Sequence, residues 1–318
     1  MARPSSRPAD PQEAPRGSIS SVPMHEIEPS PVDEEEDPFE SLPLPATSKK
    51  TETSSNGTNF LGLTPSRTVH LLSSIQKYAT VGPSLYLALH YTNTALIPLF
   101  TQSLSKSDNL LLLTRPYYQS FPLEPVLIFL PVITHVASGI ALRIYRRRQN
   151  AKRHGAETHN ERRSIPWPKL SLTSALGYAL YPMFVAHVLV NRITPQKVEG
   201  GSSGVGLRYF AYGVSRHPWF ANLGYAAMLS VASWHFVGGA AKYLKLSREY
   251  VTDGGDWGAR RRRRRGWIIN AISAAVAGAW IAGGLGVIGR AKNGGWRSWE
   301  TVNWDKIYQA VPVVGKWM

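Results

Sequence analysis

Residues 121–148 read FPLEPVLIFLPVITHVASGIALRIYRRR, an apolar run with one histidine that ends in a cluster of basic residues. The apolar part, residues 121–142, is close to the ~20 residues that an α-helix needs to cross ~30 Å of hydrocarbon. It carries no polar stripe of the kind found on helices at the surface of a soluble protein. The stretch therefore predicts a transmembrane helix with a positively charged exit.

Four similar runs predict further spans, so the expected fold is an all-α membrane protein with five transmembrane helices. The five predicted spans are residues 78–100, 121–142, 172–190, 219–241 and 267–289. They contain no Lys, Arg or Asp, and Glu124 at one edge is their single carboxylate. The mean hydropathy of −0.19 conceals these spans because polar segments offset them.

The regions outside the spans divide the chain further. Residues 1–58 are rich in Pro, Ser and Glu and predict a disordered acidic tail. Residues 59–77 predict an interfacial lead-in helix that starts at Thr64-Pro65, where threonine caps and proline takes the first helical position. Residues 78–290 form the predicted membrane domain, and residues 291–318 form a short tail on its far side.

The loops predict the orientation. The loops after the second and fourth spans are rich in Lys and Arg, whereas those after the first and third are not. By the positive-inside tendency, the N-terminal tail and both basic loops face the cytosol and the C-terminus lies on the far side. The run from Arg260 to Arg265 adjoins Trp267, so we expect a topology anchor or a contact with lipid headgroups, not nucleic-acid binding.

The first four spans form a repeat, which predicts duplicated helical hairpins in a four-helix bundle, with the fifth helix outside it. In each hairpin the first span carries a histidine followed eight residues later by a proline, and the second carries the pattern H-x-x-x-G. The histidine–proline positions are His90 with Pro98 and His187 with Pro195; the histidine–glycine positions are His135 with Gly139 and His235 with Gly239. Span five carries Ala274, Gly278, Ala282 and Gly286, a stripe expected to allow close helix packing.

The four histidines are the candidate intramembrane site. His90 and His187 are expected at one level of the bundle, and His135 and His235 at another. Facing imidazoles suit a b-type haem, whereas polar groups in spans also hydrogen-bond between helices without any cofactor. Both interpretations remain open. The sequence has no cysteine, which excludes disulfides, thiolate metal sites and iron–sulfur clusters, and no metal site is predicted.

The duplicated histidine hairpins, including Ile133-Thr134-His135-Val136-Ala137-Ser138-Gly139, resemble the transmembrane subunits of succinate dehydrogenase and fumarate reductase, some of which bind haem b. More closely, residues 68–245 resemble the fungal mitochondrial outer-membrane adapter family, which has a divergent version of that fold. The resemblance implies a role in mitochondrial lipid homeostasis. It also implies recruitment of a chorein-type, bridge-like lipid-transfer protein through a proline motif in the N-terminal tail.

The tail contains a segment that fits this motif. Residues 25–33 read HEIEPSPVD, a Pro-x-Pro core of Pro29 and Pro31 flanked by Ile27 and Val32. Prolines hold an extended conformation that loses little entropy on docking, and aliphatic neighbours can enter pockets. A second core, Pro43-Leu44-Pro45, follows it.

We therefore expect a non-enzymatic adapter, multi-pass in the mitochondrial outer membrane, whose cytosolic N-terminus binds the lipid-transfer protein at membrane contact sites. Lipid scrambling is a compatible second activity, with Thr92, Asn93 and Asn191 as polar residues along a headgroup path. The alternative from another class is a b-type cytochrome membrane anchor in electron transfer. No catalytic motif and no nucleic-acid partner are predicted, and no cofactor is expected apart from the haem alternative.

Overall fold

The computed structural model describes residues 62–291, 295–312 and 315, and this part of the chain is helical without a strand. The α-helices are α1 (Pro65–Tyr78), α2 (Val81–Tyr91), α3 (Ile97–Thr101), α4 (Leu104–Thr114), α5 (Pro116–Gln119), α6 (Leu130–Arg153), α7 (His159–Ser164), α8 (Leu172–Val188), α9 (Thr194–Glu199), α10 (Leu207–Arg216), α11 (Pro218–Tyr243), α12 (Gly255–Trp280) and α13 (Ser298–Gln309). Four π-helical segments cover Thr92–Leu96, Pro125–Phe129, Leu189–Ile193 and Ile281–Ile288, and Arg248–Tyr250 is a 3-10 turn. The predicted disordered tail, with Ile27, Pro29, Pro31 and Val32, lies outside the described residues.

Three helices are long and apolar enough to cross a membrane: Pro125–Arg153, Leu172–Glu199 and Gly255–Ile288. They contain the whole of the third predicted span and most of the second and the fifth. The first predicted span falls on the helical residues 81–101, and the fourth falls on α11; these two segments are less apolar. The chain is therefore an all-helical membrane protein.

The start of α1 follows the predicted capping pattern. Pro65 occupies its first position, and the Thr64 hydroxyl accepts a hydrogen bond from the Arg67 amide. Helix α1 ends at Tyr78, and a turn at Ala79 and Thr80 separates it from α2. Helix α1 packs along α6, so its location at the membrane surface stays a prediction.

Two of the π-helical segments occupy equivalent positions in the repeat. Thr92–Leu96 begins two residues after His90, and Leu189–Ile193 begins two residues after His187. Each leads into a short helix that contains a fully buried proline, Pro98 or Pro195. Because proline has no amide hydrogen and clashes with the preceding helical turn, a widened π turn just before it relieves both problems.

Helices α4, α10 and α13 pack together in a cluster that we call the cap. Its aromatic centre consists of Val205, Tyr209, Tyr212, Trp304, Ile307 and Tyr308. The rings of Tyr209 and Tyr308 stack with centroids 4.5 Å apart. Leu111 of α4 joins Leu207 and Ala211 in an adjoining cluster. The cap therefore brings together segments that are far apart in sequence.

The prediction that the small-residue stripe of span five packs against other helices is wrong. Ala274, Gly278 and Ala282 are exposed, and Gly278 has no neighbouring atom within 4 Å of an added Cβ. The packed face carries Ser273, Ala277, Trp280 and Gly283 instead. Both faces are small and apolar, so composition did not distinguish them. The packed face is set by Trp280, whose indole N–H donates to the Thr94 hydroxyl over 2.9 Å.

Substitution of Gly283 by alanine is expected to destabilise the protein. Its Cβ would overlap the carbonyl oxygen of Ala95, so the two backbones must separate, at a cost of about 1–3 kcal/mol. Thermal unfolding of the detergent-purified protein should show a lower midpoint for Gly283→Ala. The matched control is Gly278→Ala on the open face, which should unfold at or above the wild-type midpoint. Equal midpoints for the two variants would contradict the assigned packing face.

Candidate functional site

The structure brings His135 and His235 together. Their ring centroids are 6.4 Å apart, in an edge-to-face arrangement. His135 Nδ1 lies 2.9 Å from the Gln76 carbonyl oxygen, and His235 Nδ1 lies 2.9 Å from the Thr173 carbonyl oxygen. Because a carbonyl only accepts hydrogen bonds, both histidines carry a proton on Nδ1 and donate it. This leaves each Nε2 with a lone pair.

These two hydrogen bonds occupy equivalent positions in the two halves of the repeat. Gln76 lies fourteen residues before His90, and Thr173 lies fourteen residues before His187. In each half, therefore, the histidine of the second helix donates to the carbonyl at one fixed position of the first helix. The bond ties α6 to α1 and α11 to α8, the two pairs that form the hairpins.

The two carbonyls differ in their backbone surroundings. Gln76 lies in the last turn of α1, and the Thr80 amide, which would reach its carbonyl in a longer helix, donates to Lys77 instead. Thr173 lies in the first turn of α8, where the helical ladder also brings the amide of Gly177 to its carbonyl. The His135 bond therefore satisfies a carbonyl at a helix end, whereas the His235 bond supplements a carbonyl inside a helix.

His90 and His187 also lie together, with ring centroids 6.1 Å apart. His90 stacks on Tyr86 at 5.4 Å and lies edge-to-face with Trp280 at 6.1 Å. The Asn191 side-chain amide lies 3.2 Å from His187 Nδ1 and also donates to the His187 carbonyl. The Asn191 amide has two N–H groups, and the His187 carbonyl and the Tyr225 hydroxyl are its two shorter contacts, so this contact does not assign the His187 tautomer.

The tautomers decide what each pair can ligate. A metal-binding histidine commonly donates its second nitrogen to a carbonyl, as His135 and His235 do, and uses the other nitrogen for the metal. At the pair of His135 and His235, a Cβ on Gly139 would lie 2.6 Å from the Gln76 side-chain amide, so the Gln76 side chain occupies the space beside Gly139 that a haem would need. The contacts favour histidines that join helices, and at His135 and His235 the Nδ1 bonds leave each Nε2 available to a metal.

Two of the residues predicted to line a headgroup path are committed to helix packing. The Asn93 amide donates to the Thr114 hydroxyl over 2.7 Å, and Asn93 is only 2% exposed. The Asn191 amide also donates to the Tyr225 hydroxyl over 3.1 Å. Thr92 is exposed, and its hydroxyl donates to the Ala88 carbonyl within its own helix. These contacts do not define a path through the helices.

The six-arginine run divides between two faces of α12. Arg261 pairs with Asp253, and Arg262 and Arg265 donate to backbone carbonyls of the preceding loop. The remaining arginines are exposed; they are Arg260, Arg263 and Arg264. Half of the run therefore fixes the loop before α12, and the other half can contact lipid headgroups, as predicted for the whole run.

Sequence analysis missed an ion pair between the two hairpins. Arg192 donates through Nε and Nη2 to both carboxylate oxygens of Glu124. The side chains are 14% and 13% exposed, so the pair is largely shielded. Glu124 is the one carboxylate in the predicted spans, and Arg192 lies two residues beyond the third span. An acid at a membrane edge needs a partner, so these two positions in the sequence could have predicted the ion pair.

Residues 182–293 match the family model described as MDM10-complementing protein 1, transmembrane domain. The match runs from the middle of α8 to just past the helix that continues α12. The match confirms the predicted resemblance to this transmembrane-domain family over residues 182–245, and it indicates a membrane protein with a role in mitochondrial function. The adapter role and the resemblance to succinate dehydrogenase subunits stay predictions. Neither the comparison with curated proteins nor the comparison with solved structures gives a match.

Substitution of His135 by alanine is expected to destabilise the protein more than substitution of His235. His135→Ala leaves the carbonyl at the end of α1 without its donor, which costs about 1–3 kcal/mol when the group is buried. His235→Ala leaves a carbonyl that retains its helical partner. Thermal unfolding of both variants in one detergent measures the difference, and equal losses would contradict the assigned roles.

An absorption spectrum of the same preparations tests the haem alternative. Structural histidines predict no Soret band in the wild-type protein supplemented with haem. A Soret band that disappears in both His135→Ala and His235→Ala would overturn the structural interpretation and identify a b-type cytochrome.

Proposed function

We propose that the chain is an adapter of the mitochondrial outer membrane. Five helices fix it in the bilayer, and its cytosolic N-terminal tail recruits a bridge-like lipid-transfer protein to membrane contact sites. The observation that carries the proposal is the family match over residues 182–293. The three helices that are apolar enough to span a membrane, before and within that region, support it. Recruitment in this way would support mitochondrial lipid homeostasis.

The packing of the cap supports five crossings. Helices α10 and α13 pack together, so they lie on one side of the membrane. The chain between them consists mainly of α11 and α12, and α12 with its π-helical extension is apolar enough to span. A single crossing would separate α10 from α13, so their packing supports a second crossing by α11.

The same reasoning applies earlier in the chain. Helices α4 and α10 meet through Leu111 and Leu207, and α6 and α8 between them are both apolar enough to span. Two crossings return the chain to the same side. The basic residues at the end of α6 and in the first half of α12 then lie on the opposite side, which the positive-inside tendency assigns to the cytosol. The first predicted span connects that side to the cap.

The helical part supports an anchoring role over an enzymatic one. The histidine pairs use hydrogen bonds to backbone carbonyls and to an amide, and they thereby join helices. A haem-binding anchor is the alternative function, and the Nδ1-protonated pair of His135 and His235 is the observation in its favour. The Gln76 side chain beside Gly139 weighs against it.

Loss of the first Pro-x-Pro core is expected to abolish recruitment. Pro29→Ala/Pro31→Ala removes the two rings that hold the segment extended, so docking must order a flexible chain. Co-purification of the lipid-transfer protein with the full-length protein should fall at least about tenfold, since each 1.4 kcal/mol of lost binding energy is a factor of ten. The change lies outside the helical part, and membrane location should not change.

The second core supplies the matched control. Pro43→Ala/Pro45→Ala makes the same chemical change in the same tail, and it should leave recruitment close to wild type. Recruitment that survives the first double substitution, or that is lost equally in both, would contradict the assignment of the partner site to Ile27, Pro29, Pro31 and Val32.

We also propose that the membrane part scrambles phospholipids, so that lipid delivered to one leaflet reaches the other. The observation in favour is a polar groove, described next, beside the buried pair of Arg192 and Glu124. Liposomes containing the purified protein should expose about all of their fluorescent lipid to a membrane-impermeant quencher, because scrambling equilibrates both leaflets. Exposure of only the outer-leaflet half, as in empty liposomes, would refute this activity.

A further inference from the structure

A groove with a volume of about 290 Å³ opens where the loops after the first and third predicted spans meet. We call it the arginine groove, and its lining residues are Arg115, Pro116, Gln119, Ser120, Arg192, Ser202 and Ser203. It contains two guanidinium groups and three serines but no carboxylate. The first hairpin contributes Arg115, and the second contributes Arg192, so the groove exists only when the two hairpins are assembled.

Arg192 is held in place by the first hairpin. Its guanidinium forms the two-pronged pair with Glu124 and also donates to the Ser202 hydroxyl. Glu124 therefore neutralises the charge of Arg192 and fixes its orientation. Such a forked pair holds the planar group rigidly.

Arg115 is held without being neutralised. Its Nη1 donates to the Ser202 carbonyl over 2.9 Å, and its Nη2 donates to the Val205 carbonyl. These partners are uncharged. The nearby carboxylate of Asp108 instead accepts the Leu207 amide over 2.6 Å and forms no ion pair with Arg115 in the described contacts; burial raises the pKa of Asp108. A positive charge therefore remains at the groove.

Hydrogen-bond donors remain unused around that charge. A guanidinium has five N–H groups. Arg115 uses two of them and Arg192 uses three in the described contacts. The exposed Ser203 hydroxyl and the Gln119 amide add further donors at the rim. Such a set, rich in donors and positively charged, suits an oxyanion with several acceptor oxygens, of which phosphate is the common biological example.

The surroundings of the groove match the surface of a bilayer. Tyr117 and Phe121, on the same short stretch as Gln119, are 71% and 90% exposed. Leu113, one turn earlier, is 67% exposed. Aromatic side chains concentrate at the level of lipid headgroups, and exposed aliphatic side chains beside them suit acyl chains. A phosphate in this groove therefore has apolar surface next to it.

We propose that the arginine groove binds the phosphate of a phospholipid in the leaflet that faces the cap. The site selects a phosphate-bearing headgroup through Arg115 and Arg192, and Tyr117 and Phe121 contact the attached chains. This inference rests on the proposed membrane insertion and deepens the proposed scrambling role. It does not depend on the N-terminal tail or on recruitment of the lipid-transfer protein.

The test uses the full-length protein in detergent and native mass spectrometry with three added probes: dioleoyl phosphatidic acid, dioleoylglycerol and inorganic phosphate. Wild type should retain phosphatidic acid and should retain neither dioleoylglycerol nor inorganic phosphate at the same concentration. Ser203→Asp places a carboxylate at the groove rim, and its repulsion of phosphate should weaken phosphatidic acid binding at least about tenfold. Ser203 is exposed and donates no structural hydrogen bond in the described contacts, so the fold should be retained.

Matched variants separate charge from size. Ser203→Asn adds a similar volume without charge and should bind phosphatidic acid like wild type. Arg115→Gln should also weaken binding, with thermal unfolding as the check that the loop at Ser202 remains folded. Unchanged phosphatidic acid binding in Ser203→Asp would overturn the site. Retention of dioleoylglycerol equal to that of phosphatidic acid would show that the phosphate is not recognised. Equal retention of inorganic phosphate would indicate a soluble anion as the ligand and would overturn the lipid assignment. Pull-down of the lipid-transfer protein by Ser203→Asp should match wild type, so a failed site and a failed adapter role are distinguishable.

Discussion

The assembly depends on a requirement that hydrocarbon imposes: backbone polar groups within a bilayer need partners inside the protein. His135 meets that requirement where α1 ends, by donating to the carbonyl of Gln76. His235 repeats the bond at Thr173 in the second hairpin. Each histidine therefore sets the register of one helix against its neighbour, and the contact between the two rings then brings the hairpins together. The π turns before Pro98 and Pro195 serve the same need, since proline removes a donor from the helix.

Length and composition were sufficient to predict the helical class, the start of α1 and the three helices that are apolar enough to span a membrane. Spacing was sufficient to place His90 with His187 and His135 with His235, because a repeat puts equivalent residues at equivalent depths. The packed face of span five was not predictable from composition, since Gly278 and Gly283 are chemically identical. Their roles differ only through Ala95 and Thr94, which belong to another helix.

The polar network around the groove illustrates the same limit. Arg115, Arg192 and Glu124 come from three separate loops or helix ends, and no local pattern connects them. Their meeting depends on how two hairpins assemble, which periodicity does not describe. Charge in a membrane-edge segment still gave a partial signal, because an acid such as Glu124 is costly there without a cation. The tail motif is the reverse case, because a short local pattern carries that prediction and the motif lies outside the described residues.

The cap has a consequence for how the protein is made. Its aromatic centre joins Tyr209 and Tyr212, which precede α11, to Trp304 and Tyr308, which follow α12. During synthesis the residues of this surface that precede α11 are made first, and their partners on α13 follow only after α11 and α12 have been synthesised. A chain arrested before that point presents an uncovered aromatic surface that chaperones and proteases can recognise.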